Sequence, residues 1–320
     1  MIQRDVRIDV LRGIAMITIL VNHFSYPIKY NLGLNGPILP TPTSLGYSSA
    51  ASLFVAMSGH NAVRKVTSRS LKLYIVNSIT FLVVAPLTLW TSDTTDQLLN
   101  LTALKQAPLT AAFDFLTFRY APVYLNVLQL YVVLLMLTPI AIWLARKSPL
   151  LLTTTSLLVW TATQILPSLL YPDIKFSGEG TGFNVAGWQL AFFLPMAAGT
   201  LRMHERMFTW FRERPMATFS LIGLVLLSAV ARHFHVEDRL PYAEALTNRR
   251  FHSPVWTLHA ALILCTYVAI LAWLTPFMEW RPLRMIASLG RNSLAVFSTS
   301  IPLTYMLLIA FEQAGPGYAG

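Results

Sequence analysis

Residues 4–23 read RDVRIDVLRGIAMITILVNH, a charged beginning followed by an apolar run that ends in a histidine. Similar apolar runs recur along the 320 residues, and each approaches the roughly 20 residues that a helix needs to cross hydrocarbon. They lie at 8–27, 47–63, 71–91, 122–145, 150–170, 187–203, 216–234, 254–275 and 292–312. The short segment 282–290 would add a tenth helix or a re-entrant turn. The pattern predicts an all-α fold, a polytopic transmembrane bundle of about nine or ten spanning helices, with residues 1–320 in a single integral-membrane domain.

Composition supports a membrane protein and argues against nucleic-acid binding. Hydrophobic residues make up 55% of the chain and charged residues 12%, against about 25% charged residues in soluble domains. The net charge of +10 is explained by cytoplasmic Lys and Arg, because most basic residues fall in the inner connections when the N-terminus is placed inside. The first run lacks a cleavage-site pattern and is predicted to remain as a helix. We therefore expect a multi-pass protein with a cytoplasmic N-terminus.

The sequence carries few signs of metal, disulfide or hydrolase chemistry. Cys265 is the single cysteine, so no disulfide forms within the chain. The His233/His235 pair has i,i+2 spacing, which is unsuited to shared ligation on one helix face. No metal is predicted. Neither a G-x-S-x-G elbow nor a phosphate loop is present.

The first helix carries two ionisable residues on one face. Arg12 and His23 are eleven residues apart, which amounts to three turns with an offset of about 20° and an axial separation of about 16 Å. Asp9 stands at i,i+3 to Arg12 and can pair with it. Snorkelling of Arg12 and an interfacial position for His23 would explain each residue alone. Their shared face favours function instead, with His23 as a base that accepts a hydroxyl proton.

The second helix and the residues after it suggest packing and anion binding. Ser52 and Ser58 belong to a series of small residues, which more often marks close helix packing than catalysis. His60 lies at the inner end of this helix. A basic cluster follows that suits the phosphates of a nucleotide-like donor, although topology and anionic lipid explain the same residues. Its members relevant to a donor are Arg64, Lys65 and Arg69.

Candidate acceptor-side residues flank the later runs. Trp188 and Gln189 open the sixth run and Asn184 precedes it, and together they form either an ordinary interfacial belt or a surface for a sugar. Arg249 and His259 lie just before and just inside the eighth run. The outer connections 92–121 and 232–253 are the longest, and long connections are often functional. Within the first of them, 98–118 is predicted as a helix on the outer surface.

An ordered series of short motifs resembles the OpgC family, whose members are membrane succinyltransferases of osmoregulated periplasmic glucans. The Arg12-to-His23 spacing also resembles the Arg-x10-His signature of the wider type-3 membrane acyltransferases. The motifs are Arg4-Asp5, Arg7-Ile8-Asp9, Arg12-Gly13, Asn22-His23, Ser49 to Val55, Ser58-Gly59, Val127-Leu128, Tyr131, Pro139, Phe183-Asn184, Trp188-Gln189-Leu190, Ser253-Pro254, His259, Leu289-Gly290 and Ser293-Leu294.

The resemblance implies about ten membrane helices in the bacterial inner membrane, a cytoplasmic acyl-CoA donor (succinyl-CoA) and a hydroxyl acceptor on a periplasmic glycan. It implies a catalytic role for His23 and a supporting role for Arg12. The chain departs from the family pattern at His60, Trp256 and Gln129, where the family has tyrosine, arginine and proline. The missing arginine bears on whether the acyl group is succinyl.

Together these features predict O-acyl transfer by one of two routes. His23 either activates the acceptor hydroxyl directly or forms an acyl-histidine, and Asn22 or a backbone N–H stabilises the oxyanion. The donor-binding residues would be Arg12, Arg64, Lys65, Arg69 and His60. The acceptor-binding residues would be Asn184, Trp188, Gln189, Arg249 and His259.

The alternative from another class is a transporter or flippase of a glycan or lipid-linked precursor, which also buries ionisable groups. The absence of a visible internal repeat counts against it. A structural or sensor subunit ranks last. The expected partners are a glycan acceptor and membrane lipids, without nucleic acid, and the sequence leaves the oligomeric state open.

Overall fold

The structure is a computed structural model that describes residues 5–31, 49–60, 66–166, 183–236 and 242–314. Throughout these ranges the regular elements are helices and no strand occurs. The helices are α1 Val6–Asn31, α2 Ala50–His60, α3 Val66–Leu87, α4 Asp93–Leu99, α5 Thr102–Gln106, α6 Pro108–Leu116, α7 Leu125–Lys147, α8 Pro149–Ile165, α9 Val185–Thr200, α10 Met203–Glu213, α11 Pro215–His233, α12 Ala243–Thr247, α13 Pro254–Leu274, α14 Arg281–Arg291 and α15 Ser293–Ala314. The predicted all-α fold is confirmed.

Six of the described helices are long and apolar enough to cross a membrane. They are α1, α3, α7, α11, α13 and α15. The other three predicted spans correspond to α2, α8 and α9, which have 11, 17 and 16 residues in the described part of the chain. The chain is therefore a multi-pass helical membrane protein.

Large apolar side chains cover much of the outer surface of this bundle. Leu82 on α3, Leu158 on α8 and Phe219 on α11 expose 67%, 71% and 66% of their surfaces. On α3 the exposed side chains of Leu71, Ile75, Ile79 and Leu82 follow helical spacing, and a continuous apolar face of this kind is rare on soluble monomers. These faces suit contact with lipid tails.

Two apolar clusters hold the helices together. The larger joins α1, α2, α3, α7, α9 and α15 around fully buried side chains, including those of Met16, Leu128, Trp188, Phe192 and Phe297. The smaller joins the first turns of α1 to α10, α13 and α14. Along α1, the two clusters define an Arg12 end and a His23 end of the bundle.

The prediction of one surface helix over 98–118 is wrong. This stretch contains the end of α4 and the separate helices α5 and α6. Asn100 ends α4 with a left-handed φ of 57°, and Pro108 begins α6, because proline cannot continue a preceding helix hydrogen-bond pattern. Gln129 of α7 holds the loop between α6 and α7. Its Nε2 donates to the carbonyls of Phe115 and Tyr120, at 3.0 Å each.

The segment 282–290 belongs to α14, which is not a span. An 11-residue helix is about 16 Å long, roughly half the hydrocarbon thickness. It packs against α1 at the Arg12 end. A Cβ at Gly13 would overlap the carbonyl oxygen of Ile286, and a Cβ at Gly290 would overlap that of Asp9. These two glycines therefore let the helix backbones touch.

Candidate active site

His23 lies in an aromatic pocket at the far end of α1 from Arg12. Its ring centroid is 3.9 Å from that of Tyr124 and 5.7 Å from that of Phe297, which meets it edge-on. The Nδ1 atom is buried and has no hydrogen-bond partner among the described residues. Buried polar atoms are nearly always paired in folded proteins, so this nitrogen is available to a bound ligand.

Tyr124 positions His23, and sequence reasoning missed it. Its Oη donates to the backbone carbonyl of His23 at 3.4 Å, and its backbone has φ 78°, ψ −34° immediately before α7. Positive φ is uncommon for a bulky residue, and such strain persists where the surroundings enforce it. Tyr305 supplies part of that support, since its Oη donates to the carbonyl of Val123 at 3.2 Å. No local sequence signal marks a single tyrosine in this role.

Arg12 connects α1 to α2. Its Nη2 donates to the carbonyl of Met57 at 2.9 Å. The predicted pairing of Arg12 with Asp9 stays a prediction. Asn22, the predicted oxyanion donor, is half-buried beside His23 in the chain. The structure thus gives Arg12 a role in packing in addition to any role in binding.

The predicted donor cluster is only partly described. Arg69 is exposed near the start of α3. Arg64, Lys65 and the side chain of His60 lie outside the described residues. Donor binding by this group therefore stays a prediction.

Asn184, Trp188 and Gln189 serve the packing of α9. The Oδ1 of Asn184 accepts from the backbone N–H of Gly187 at 2.8 Å and caps the helix. Trp188 is fully buried and donates from Nε1 to the carbonyl of Arg249 at 3.1 Å. Gln189 is buried and exchanges hydrogen bonds with Ser156. The geometry assigns all three a structural role, and their binding to a sugar stays a prediction.

Two buried serine–histidine pairs tie α2 to the start of α13. The Oγ of Ser49 is 2.8 Å from Nδ1 of His259, and the Oγ of Ser52 is 3.0 Å from Nε2 of His252. Ser52 was predicted to serve packing, whereas its hydroxyl forms a specific hydrogen bond. Burial of both partners in each pair suits a structural network better than a nucleophile, which has to reach its substrate.

Arg249 brings a positive charge to the His23 end. Its guanidinium carbon is 5.3 Å from the ring centroid of Phe183 and 5.8 Å from that of Trp256. Its turn is joined to α2 by the hydrogen bond between Ser52 and His252, and Phe54, two residues further along α2, stacks on Phe297, whose ring meets that of His23. The structure therefore places two of the predicted site residues, His23 and Arg249, at the same end of the bundle, although they are far apart in sequence.

The bundle is apolar on its outer surface, and one end of it carries a histidine, an arginine and aromatic rings. These features define a multi-pass membrane protein with a polar site. The family described as OpgC protein matches residues 4–319. The chain belongs to the OpgC family, as its motifs predicted, and this family places it among membrane transferases of the acyltransferase kind. Searches of curated proteins and of solved structures found no significant match.

Proposed function

We propose that this protein is an O-acyltransferase of the bacterial inner membrane that carries an acyl group from cytoplasmic acyl-CoA to a hydroxyl of a periplasmic glycan. Succinyl-CoA is the proposed donor. Family membership supports transfer of an acyl group, and the long apolar helices support a reaction within the membrane. We place the N-terminus in the cytoplasm because this orientation puts most of the Lys and Arg residues in the inner connections, as the positive-inside rule requires.

The observation that carries the proposal is the environment of His23. Aromatic rings fix the imidazole on two sides. Its Nδ1 is buried and lacks a partner in the described part of the chain. A histidine whose ring nitrogen has no partner in a buried pocket can accept a proton from a hydroxyl that is held within hydrogen-bond distance.

The proposed step conserves atoms and charge. The acceptor oxygen attacks the thioester carbonyl carbon and forms the new ester bond. An imidazole nitrogen of His23 takes the hydroxyl proton, the carbon–sulfur bond breaks, and the proton passes to the departing coenzyme A thiolate. Asn22 or a backbone N–H stabilises the oxyanion. An acyl-His23 route divides the same change into two steps.

The donor would enter from the Arg12 end. Its phosphates suit the guanidinium groups of Arg12 and Arg69, together with Arg64, Lys65 and His60. The thioester would then extend along α1 toward His23. Asp9 would orient Arg12 and would not act on the substrate.

The first experiment compares ester-linked acyl groups on envelope glycans from cells that contain or lack the protein, by mass spectrometry. We expect one acyl mass to disappear on deletion and to return with the wild-type copy but not with His23→Ala. His233→Ala is the matched control, because His233 is an exposed histidine at the end of α11, and it should restore acylation fully.

Two outcomes would contradict the proposal. Full acylation by a stably expressed His23→Ala variant would remove His23 from the reaction. Unchanged acylation on deletion, with glycan displaced from its normal compartment, would favour the transporter or flippase, because a flippase consumes no acyl-CoA.

A further inference from the structure

The turn that carries Arg249 is fixed more firmly than most surface loops. Residues 249–252 link α12 to α13, and each of their four consecutive carbonyl oxygens accepts a hydrogen bond from a group elsewhere in the chain. Trp188 Nε1 donates to the carbonyl of Arg249 at 3.1 Å, and the backbone N–H of Asn184 donates to that of Arg250 at 2.8 Å. Gln164 Nε2 donates to the carbonyl of Phe251 at 3.1 Å, and Trp160 Nε1 donates to that of His252 at 2.8 Å.

The same turn is also held by packing. A Cβ at Gly187 would overlap the carbonyl oxygen of Phe251, so α9 touches the backbone of the turn. The Oδ1 of Asn248 accepts from the N–H of Arg250 at 2.9 Å. Most loops run over the surface with their carbonyls in water. Supporting contacts of this density are typical of residues that must be held in one productive geometry.

The supported turn presents one exposed charged side chain at the His23 end of the bundle. Arg249 is exposed, whereas Arg250 is half-buried and Phe251 is half-buried. The guanidinium lies near the rings of Phe183 and Trp256, and aromatic faces at these distances attract an arginine. His252 of the same turn bonds to Ser52 of α2, and Phe54 of that helix stacks on Phe297, which lines the pocket of His23.

We propose that Arg249 is the anion-binding residue of the transfer site and that it holds a carboxylate or phosphate group of a substrate while that substrate reacts at His23. This inference rests on the proposed function. Guanidinium groups bind such planar or tetrahedral oxyanions with paired hydrogen bonds. The anion comes either from a dicarboxylic acyl group or from a charged substituent on the glycan.

The test is a donor and acceptor matrix with the purified protein in lipid nanodiscs. Succinyl-CoA and butyryl-CoA have equal carbon chains and differ in the terminal carboxylate. A neutral glucose oligosaccharide and its phosphoglycerol-substituted form serve as acceptors. Arg249→Met and Arg249→Lys are compared with Arg250→Met, which alters the neighbouring arginine of the same turn.

We expect Arg249→Met to lower kcat/KM for the anionic substrate about 10- to 100-fold, since hydrogen bonds to a charged group are worth that much in affinity. The neutral counterpart should change less than about 3-fold. Arg249→Lys should lie between, because lysine keeps the charge without the paired geometry. Loss confined to succinyl-CoA assigns the anion to the acyl group, and loss confined to the substituted glycan assigns it to the acceptor.

If Arg249→Met lowers kcat/KM equally for every substrate pair, or for none, the inference is overturned and acyl transfer is left intact. A wild-type protein that is inactive with every pair would overturn the proposed function instead. For that case, thermal unfolding is measured with succinate, with inorganic phosphate or with uncharged butyramide as the control. Stabilisation by succinate or phosphate in wild type and Arg250→Met but not in Arg249→Met would still support anion binding, and stabilisation by neither anion would overturn it.

Discussion

His252 shows how one buried histidine can fix a loop. The Oγ1 of Thr257 donates its hydrogen to the carbonyl of His252 at 2.6 Å. Thr257 Oγ1 therefore accepts a hydrogen bond from Nδ1–H of the His252 imidazole at 2.8 Å. The Nε2 atom is then the acceptor for the Ser52 hydroxyl at 3.0 Å. Both ring nitrogens are used by a neutral imidazole with a defined tautomer. Its left-handed φ of 50° is a conformation that histidine adopts more readily than most residues.

The neutral state of His252 should make stability depend on pH. Burial, with the nearby charge of Arg249, lowers the pKa of His252 from 6.5 to about 4. Between these values the unfolded chain binds a proton that the folded chain does not, so the free energy of unfolding falls as pH decreases. The loss reaches roughly 3 kcal/mol near pH 4.

Thermal unfolding in detergent from pH 7.5 to pH 4.5 would measure this dependence. Above about pH 6.5 the His252 contribution should be complete. His252→Asn, which cannot titrate there, should lose less stability than wild type as the pH falls, even if it is less stable at pH 7.5. The exposed His233→Asn serves as control and should follow the wild-type curve. Parallel curves for wild type and His252→Asn would contradict the prediction.

At the scale of elements, the contact between α1 and α14 explains two of the sequence motifs. Arg12-Gly13 and Leu289-Gly290 stand at opposite ends of the chain, yet Gly13 and Gly290 meet where the two helix backbones touch. α14 is amphipathic, with Leu283 and Ala287 buried against this region. The contact places a short basic helix at the Arg12 end of the bundle.

Gly290→Ala should separate these two helices. The added methyl group would overlap a backbone carbonyl, which cannot rotate away as a side chain could. Overpacking of this kind costs about 1–3 kcal/mol, so we expect a lower thermal unfolding temperature. Gly223→Ala is the matched control on α11, where the space around a new Cβ is open, and alanine should be neutral or stabilising by up to about 1 kcal/mol. Equal effects of the two substitutions would show that helix contact is not the cause.

The sequence predicted helices well and their contacts poorly. Apolar runs locate the spans because each helix satisfies its own backbone within the membrane. Contacts such as that of Ser49 with His259, 210 positions apart, depend on how helices pack and leave no periodic signal in either segment. For the same reason, the sequence predicted His23 as a site residue but did not predict the aromatic residues around it. The histidine stood out as an ionisable group in an apolar run, whereas Tyr124 had nothing unusual in its surroundings.

At the scale of the whole molecule, the two ends of α1 carry different chemistry. The His23 end holds the aromatic pocket and the turn with Arg249. The Arg12 end holds α14, whose exposed residues include Arg281 and Arg284. A donor with several phosphates suits the Arg12 end, and a glycan acceptor suits the His23 end. This division has functional meaning only if the two ends face opposite compartments.

Cysteine labelling in spheroplasts tests that arrangement. In a Cys265→Ser background, Leu109→Cys places a thiol on α6, the helix that precedes the loop with Tyr124, and Met285→Cys places one on α14. Both positions are strongly exposed, at 87% and 70%. An impermeant maleimide should label Leu109→Cys in intact spheroplasts and Met285→Cys only after lysis, because the Lys and Arg bias orients the Arg12 end toward the cytoplasm. The reverse pattern would place His23 in the cytoplasm, where no periplasmic glycan could reach it, and would refute transfer across the membrane while leaving the fold unchanged.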